Sequence, residues 1–283
     1  MSALARAPVA KANSLVRRRG TRLALRLALS GVGLLPSVAA AETIHFPHQD
    51  ARFLYPYQRN GGAALVPDDA TAEESLPLVV FLHGTNPTPE LHLWFGGGGR
   101  DLRPLARQLV RSKEVSPFVL AGPSQSKGAG LARTVWQAFD LTAFVEDVVQ
   151  ATATRVRIDR QRVVLVGHSG AGCNPSGGLA ADFWTAGTPL PLALVAIDPC
   201  LDAKLGQAFA RRPAGVPLWL SWQPALWVRE PNEFAAALAR DKPELRVDRV
   251  VELPPRGPNP HEAIVPIAFE SAMRELFGVK PAE

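Results

Sequence analysis

The sequence predicts an α/β fold in which a doubly wound, mostly parallel sheet is covered by helices. Short continuous apolar runs recur along the chain, as in Pro77–Leu82, and such runs are typical of parallel strands buried on both faces. Stretches with the apolar spacing of helices alternate with these runs, which favours βαβ units over an all-β or all-α fold. The 283 residues are enough for one large domain with a sizeable core.

The predicted elements follow one another in that alternation. An early edge strand is expected at Ala51–Tyr57, and a final helix is expected at about Glu262–Phe277. Asp101 and Asp140 are expected to cap the helices that they precede, because an Asp side chain accepts hydrogen bonds from the free amides at a helix start. Five further strands are predicted, at Pro117–Ala121, Arg162–Val166, Leu192–Ile197, Val216–Trp222 and Val247–Leu253.

Positive charge is concentrated at the start of the chain. The formal net charge is +5, and residues 1–41 contain seven basic groups and no acidic group. The rest of the chain contains 24 basic and 26 acidic groups. It therefore offers no electrostatic basis for binding nucleic acid.

The same 41 residues have the pattern of a secretory signal peptide. An arginine-rich start precedes the apolar segment Leu23–Leu35, and Ala39-Ala40-Ala41 supplies the small residues of a cleavage site before Glu42. We therefore predict a signal peptide at 1–41 and a periplasmic or secreted domain at 42–283, with no stable membrane insertion after cleavage. An uncleaved membrane anchor is the alternative, although the run is shorter than the roughly 20 residues that a span requires.

Two cysteines, Cys173 and Cys200, lie in the predicted exported domain. Both are expected near strand ends at one edge of the sheet, and export to an oxidising compartment favours a disulfide. Two buried free thiols are the alternative, and the sequence leaves the choice open.

A serine directly follows one of the predicted buried strands. The apolar run Val163–Val166 leads into Gly167-His168-Ser169-Gly170-Ala171, where small residues stand two places before and two places after the serine. Small residues permit a tight turn that lifts the serine hydroxyl clear of the sheet. A helix is expected to begin there and to offer free N–H groups to a developing negative charge, although Pro175 should kink it. The arrangement is typical of a nucleophilic serine.

With this turn, residues 50–280 resemble the α/β-hydrolase superfamily, although Ala171 stands where a second glycine is usual. The resemblance implies about eight strands with helices on both faces and a serine hydrolase that needs no metal or organic cofactor. It also implies a small-molecule ester or acyl substrate, with carboxylic ester hydrolysis as the commonest chemistry of the scaffold. Amidase, peptidase or thioesterase activity would use the same residues, and a non-catalytic binding protein on the same fold is the alternative from another class.

The resemblance assigns roles to particular residues. Ser169 would be the nucleophile, and His261 the base, because it is the only histidine after the serine in the family order of nucleophile, acid and histidine. The backbone N–H groups of Thr85 and Gly170 would bind the oxyanion. His83, two residues before Thr85, is expected to order this loop and not to transfer protons.

The acid that orients the histidine has two candidates. Asp198 follows the predicted strand Leu192–Ile197, a position that some family members use. The commoner position follows the next strand, which ends near Trp222, and the nearest acidic residue beyond it is Glu230. Asp198 is preferred and Glu230 is the substitute.

Overall fold

The computed structural model describes residues 43–48, 61–84, 101–123, 136, 139–174, 177–180, 190–213, 215–225, 229–244, 247–254 and 256–279. Within them, eight strands form one sheet: β1 Thr43–Phe46, β2 Gly62–Leu65, β3 Ser75–Leu82, β4 Val119–Pro123, β5 Arg157–His168, β6 Ala193–Ile197, β7 Leu218–Trp222 and β8 Arg249–Glu252. The α-helices of this part of the chain are α1 Arg103–Arg111, α2 Leu141–Thr152, α3 Ala203–Phe209, α4 Glu230–Asp241 and α5 Pro260–Phe277. The predicted strand Ala51–Tyr57 and the predicted signal segment lie outside the described residues.

The sheet has the doubly wound, mostly parallel order that the sequence predicts. Its strands run in the order β1-β2-β4-β3-β5-β6-β7-β8. At one edge β2 pairs antiparallel with both β1 and β4, and β3 to β8 are parallel to one another. Because the parallel strands all end at the same edge, residues that follow β5, β6 and β7 are brought together there.

Both faces of the sheet are buried, which explains the continuous apolar runs. Along β3, Leu78 and Val80 belong to one core cluster with Phe144 of α2. Val79, also on β3, belongs to a second cluster with Phe269 of α5 on the opposite face. Alternate residues of a strand point to opposite faces, so a strand covered on both sides must be apolar throughout. Among the described helices, none is both long and apolar enough to span a bilayer.

One of the two predicted helix caps is confirmed and the other is wrong. Asp140 caps α2, and its carboxylate accepts a hydrogen bond from the Ala143 amide at 3.0 Å. Helix α1 begins later than predicted, with Leu102 at its N-cap position, although the Asp101 carboxylate still accepts from the Arg103 amide at 2.9 Å. Pro104 lies in the first turn of α1, where a residue without an N–H and with a fixed φ favours helix initiation.

The helix expected directly after Ser169 is also wrong over the described residues. The chain forms a 3-10 helix at Ser169–Gly172 and a second 3-10 helix at Gly178–Ala180. Pro175 has no N–H with which to continue an α-helix.

Cys173 and Cys200 form a disulfide, with their Cα atoms 4.7 Å apart. The bridge joins the segment after β5 to the segment after β6, two neighbouring strands of the sheet. It therefore holds together the two chain segments that carry Ser169 and Asp198.

Removing this bridge should lower stability substantially. The two cysteines are 27 residues apart, and loop closure of that length restricts the unfolded chain by about 3–4 kcal/mol. Urea unfolding of the Cys173→Ala/Cys200→Ala double variant, compared with the native chain, should show this loss in the free energy of unfolding. Reduction of the native chain should reproduce it, and an unchanged midpoint in both experiments would contradict the assignment.

Candidate active site

Ser169 lies directly after β5 in a strained turn. Its φ is +51°, in the left-handed region that non-glycine residues rarely adopt. A Cβ placed on Gly167 would come within 2.7 Å of the Leu179 side chain, so this position has no room for a larger residue. The turn that presents the serine hydroxyl therefore depends on the small residue two places before it.

Asp198 occupies the corresponding place after β6. Its side chain is fully buried, and its φ is +45°. The Asp198 amide donates to the Ser221 carbonyl of β7 at 2.7 Å, which fixes the backbone just before the chain leaves the sheet. Non-glycine residues in this conformation cost about 1–3 kcal/mol and tend to occur at functional sites.

His261 lies in the first turn of α5 and contacts both residues. Its Nε2 lies 2.8 Å from Ser169 Oγ, and its Nδ1 lies 2.5 Å from Asp198 Oδ2. A neutral imidazole that donates through Nδ1 to the carboxylate keeps the lone pair on Nε2 to accept the serine proton. Ser169, His261 and Asp198 thus form one hydrogen-bonded chain, which we call the Ser-His-Asp chain.

The structure brings Asp198, the preferred acid, against the histidine. Glu230 is the first residue of α4, and its carboxylate accepts from the Arg229 amide at 2.9 Å. Both ring nitrogens of His261 are occupied by Ser169 and Asp198. Glu230 therefore has no place in the hydrogen-bonded chain.

His168, the residue before the serine, holds the first turn of α5, which carries His261. It is fully buried, and its Nε2 donates to the backbone carbonyl of His261 at 3.0 Å. Burial is the main cause that holds the pKa of His168 well below 6.5, and the electrostatic cost of a second positive ring beside His261 adds to it. Its buried Nδ1 meets no hydrogen-bond partner among the described residues, so a proton there would gain nothing, and the ring stays neutral.

The loop after β3 lies against the serine turn. The His83 ring is fully buried, and its Nδ1 donates to the Gly84 carbonyl at 2.6 Å. The His83 carbonyl accepts from Trp136 Nε1 at 2.9 Å. A Cβ on Gly84 would lie 3.1 Å from Ser169 Cβ, so the backbone approaches closely there. Thr85, the expected oxyanion donor, lies outside the described residues, whereas Gly170 is described and buried.

One polar residue of the site, Gln223, is not among those predicted from the sequence. It follows β7 directly, and its side chain donates from Nε2 to Asp198 Oδ2 at 3.0 Å. The available signal was its position, since the residues after this strand commonly supply the acid. A glutamine cannot serve as the acid, however, so its residue type gives no sign that it belongs to the site.

This geometry can activate a hydroxyl. His261 is placed to take the Ser169 proton, and the buried Asp198 carboxylate is placed to stabilise the resulting imidazolium. No group of three or more His, Cys, Asp or Glu side chains within the described ranges is arranged to hold a metal ion.

Comparison with known proteins agrees with this fold. Residues 79–275 match the profile of the alpha/beta hydrolase family, and the chain therefore belongs to this family. No curated protein matches the sequence.

Solved structures share the fold at low sequence identity. A ferulic acid esterase aligns over 76% of this chain and 90% of its own, with 13% identity and a TM-score of 0.51. A ferulic acid esterase from Anaeromyces mucronatus, solved with ferulic acid, aligns over 83% and 89%, with 12% identity and a TM-score of 0.50. The fluorophosphonate-binding serine hydrolase F of Staphylococcus aureus aligns over 84% and 98%, with 12% identity and a TM-score of 0.53.

The buried neutral His168 predicts a loss of stability in acid. Its pKa is lowered in the folded chain, so below about pH 6.5 the unfolded chain binds a proton that the folded chain does not. Full stability is present above this pH, and it should fall by up to about 1.4 kcal/mol per pH unit as the pH drops below it. His168→Gln, which does not titrate, should show a shallower loss between about pH 6.5 and 5 in urea unfolding. Equal slopes for the two chains would contradict a buried neutral ring.

Proposed function

We propose that this chain is a serine hydrolase that cleaves carboxylic esters through an acyl-enzyme on Ser169. One observation carries the proposal: His261 contacts the Ser169 hydroxyl through Nε2 at 2.8 Å and the buried Asp198 carboxylate through Nδ1 at 2.5 Å. The alpha/beta hydrolase family match supports it. Three polar side chains from three separate segments are thereby aligned in the order that proton transfer requires.

The first half-reaction forms the acyl-enzyme. Ser169 Oγ attacks the ester carbonyl carbon while its proton passes to His261 Nε2, and the carbonyl oxygen becomes an oxyanion. The backbone N–H groups of Gly170 and Thr85 are proposed to bind that oxyanion, each worth about 10²–10³-fold in rate. When the C–O bond breaks, the leaving alcohol takes the proton from the imidazolium, which leaves the acyl group on Ser169.

The second half-reaction uses the same groups with water. The oxygen of a water molecule attacks the acyl carbon while His261 Nε2 takes a proton from that water. Nε2 then gives the proton to Ser169 Oγ as the carboxylic acid leaves. Throughout, the Asp198 carboxylate accepts from Nδ1, so the ring keeps the tautomer in which Nε2 is the base. The buried carboxylate favours the imidazolium more strongly than an exposed one would.

Small esters are the proposed substrates. Two of the structural neighbours are ferulic acid esterases, so a screen should include methyl ferulate beside p-nitrophenyl esters of varied acyl length and one peptide substrate. Turnover of at least one ester by the native chain supports the proposal. A folded chain inactive on every ester but active on the peptide would favour the peptidase alternative, and one inactive on all would favour a binding protein.

Substitutions at the Ser-His-Asp chain should abolish turnover of the ester found in that screen. Ser169→Ala and His261→Ala should each lower kcat by at least about 10⁴-fold, and Asp198→Asn by about 10³–10⁴-fold, because the asparagine favours the wrong histidine tautomer. Steady-state kinetics measure these losses. Glu230→Gln is the matched control and should keep kcat within about twofold of the native value. The assignment of the acid would be overturned if Asp198→Asn kept the native kcat, or if Glu230→Gln lost more kcat than Asp198→Asn did.

We further propose that the enzyme is exported and that residues 1–41 are removed. Two features support this, the signal pattern before Glu42 and the Cys173–Cys200 disulfide, because disulfides persist mainly in oxidising compartments. The substrate would then be met outside the cytoplasm.

Expression of the full chain in a bacterial host with fractionation tests the export proposal. The exported fraction should contain a protein whose amino terminus is Glu42, as determined by mass spectrometry. Ala39→Arg should block cleavage, because small residues are needed before the cut. Full-length native chain in the cytoplasm, or retained uncleaved in the membrane, would contradict the proposal.

A further inference from the structure

We propose that Gln223 is a positioning residue that holds the Asp198 carboxylate in the orientation that His261 requires. This role rests on the serine mechanism proposed above. Gln223 follows β7 and Asp198 follows the neighbouring β6, so the two side chains meet where the parallel strands end. Gln223 is 1% exposed and Asp198 is fully buried, and their contact is therefore shielded from water.

Gln223 contacts both carboxylate oxygens of Asp198. Its backbone amide donates to Oδ1 at 3.3 Å, and its side-chain Nε2 donates to Oδ2 at 3.0 Å. Oδ2 is also the oxygen that lies 2.5 Å from His261 Nδ1. Rotation of the carboxylate about its bond to Cβ would break contacts on both sides of the group, so Gln223 restricts the rotation that would misalign the histidine.

The amide of Gln223 is itself held in one orientation. Its Oε1 accepts from the Ala225 amide at 2.9 Å, while its Nε2 faces Asp198. A flipped amide would set Oε1 against a carboxylate oxygen and Nε2 against an N–H group, which replaces two hydrogen bonds by two repulsive contacts. Only the observed orientation lets the amide bond both the Ala225 N–H and the Asp198 carboxylate, so Nε2 is the atom that faces Asp198.

The position of Gln223 explains why an amide is suited to this place. A carboxylate at 223 would lie beside the buried Asp198 carboxylate, and two such charges in a water-poor site cannot both stay ionised without a large cost. A methionine of similar length would fill the space but offer no donor. The amide supplies a neutral donor of the right reach, and so it adds no second negative charge beside Asp198.

The test measures how fast Ser169 reacts when the donor is removed. Gln223→Met retains the length of the side chain and removes the amide, and Gln223→Asn retains an amide that is one methylene too short. Gln108→Met, on the exposed side of α1, is the matched control. For each chain we would measure the second-order rate of labelling by a fluorophosphonate probe, kcat and KM on an active ester, and the thermal midpoint.

In both Gln223 variants, the probe should label Ser169 about 10–100-fold more slowly, and kcat should fall by a similar factor. KM should change by less than about twofold, because misplacing a catalytic group affects the transition state more than substrate binding. The control should match the native chain.

A folded Gln223→Met or Gln223→Asn chain that labels at the native rate would overturn the positioning role. If the native chain labels at Ser169 but hydrolyses no ester, the ester proposal fails while the comparison of labelling rates still decides the role of Gln223. If the native, folded chain does not label at all, the serine mechanism fails, and the role of Gln223 falls with it.

Discussion

A single imidazole ring must serve two partners at once in this site, and that constraint governs the arrangement around it. His261 faces the Ser169 hydroxyl with one nitrogen and the Asp198 carboxylate with the other, at 2.8 Å and 2.5 Å. For Nε2 to accept the serine proton, the ring must carry its own proton on Nδ1 and be held in a plane that reaches both partners. A shift of about 1 Å in any of the three segments would break the alignment that proton transfer needs.

The fold meets this constraint from several directions. Neighbouring parallel strands end side by side, so Ser169 and Asp198 start from adjacent strand ends, and both residues adopt a positive φ there. The Cys173–Cys200 disulfide ties the two segments together just beyond them. His168 donates a hydrogen bond to the His261 backbone carbonyl, and Gln223 contacts both oxygens of Asp198. Strain at two residues is thus balanced by covalent and hydrogen-bonded restraints around them.

Much of this arrangement was accessible from the sequence, because it depends on local patterns and on order along the chain. Apolar runs predicted the strands, and the small residues around Ser169 predicted the tight turn. The family order identified His261 and Asp198 as candidates, and the structure places both within hydrogen-bond distance of the expected partners. These inferences required no knowledge of which side chains pack together.

Other parts depend on distances across the sheet and could not be read from the chain. Whether Cys173 and Cys200 form a bridge was left open because spacing alone does not place two thiols within bonding reach. The bond from His168 to the His261 carbonyl spans 93 positions, and nothing in the sequence around either residue marks it. Gln223 was missed because its role follows from the adjacency of β6 and β7, not from its residue type. The 3-10 helix at Ser169–Gly172 was missed because the small residues after the strand indicate that a helix begins there but not which type of helix it is.

The most direct measurement is the site at which a fluorophosphonate attaches to the folded chain. We expect one adduct per molecule, located by peptide mass mapping to the peptide that contains Ser169, and no adduct in Ser169→Ala. Attachment to a different residue, or a folded native chain that takes up no probe, would contradict the claim that this serine is activated by the histidine beside it.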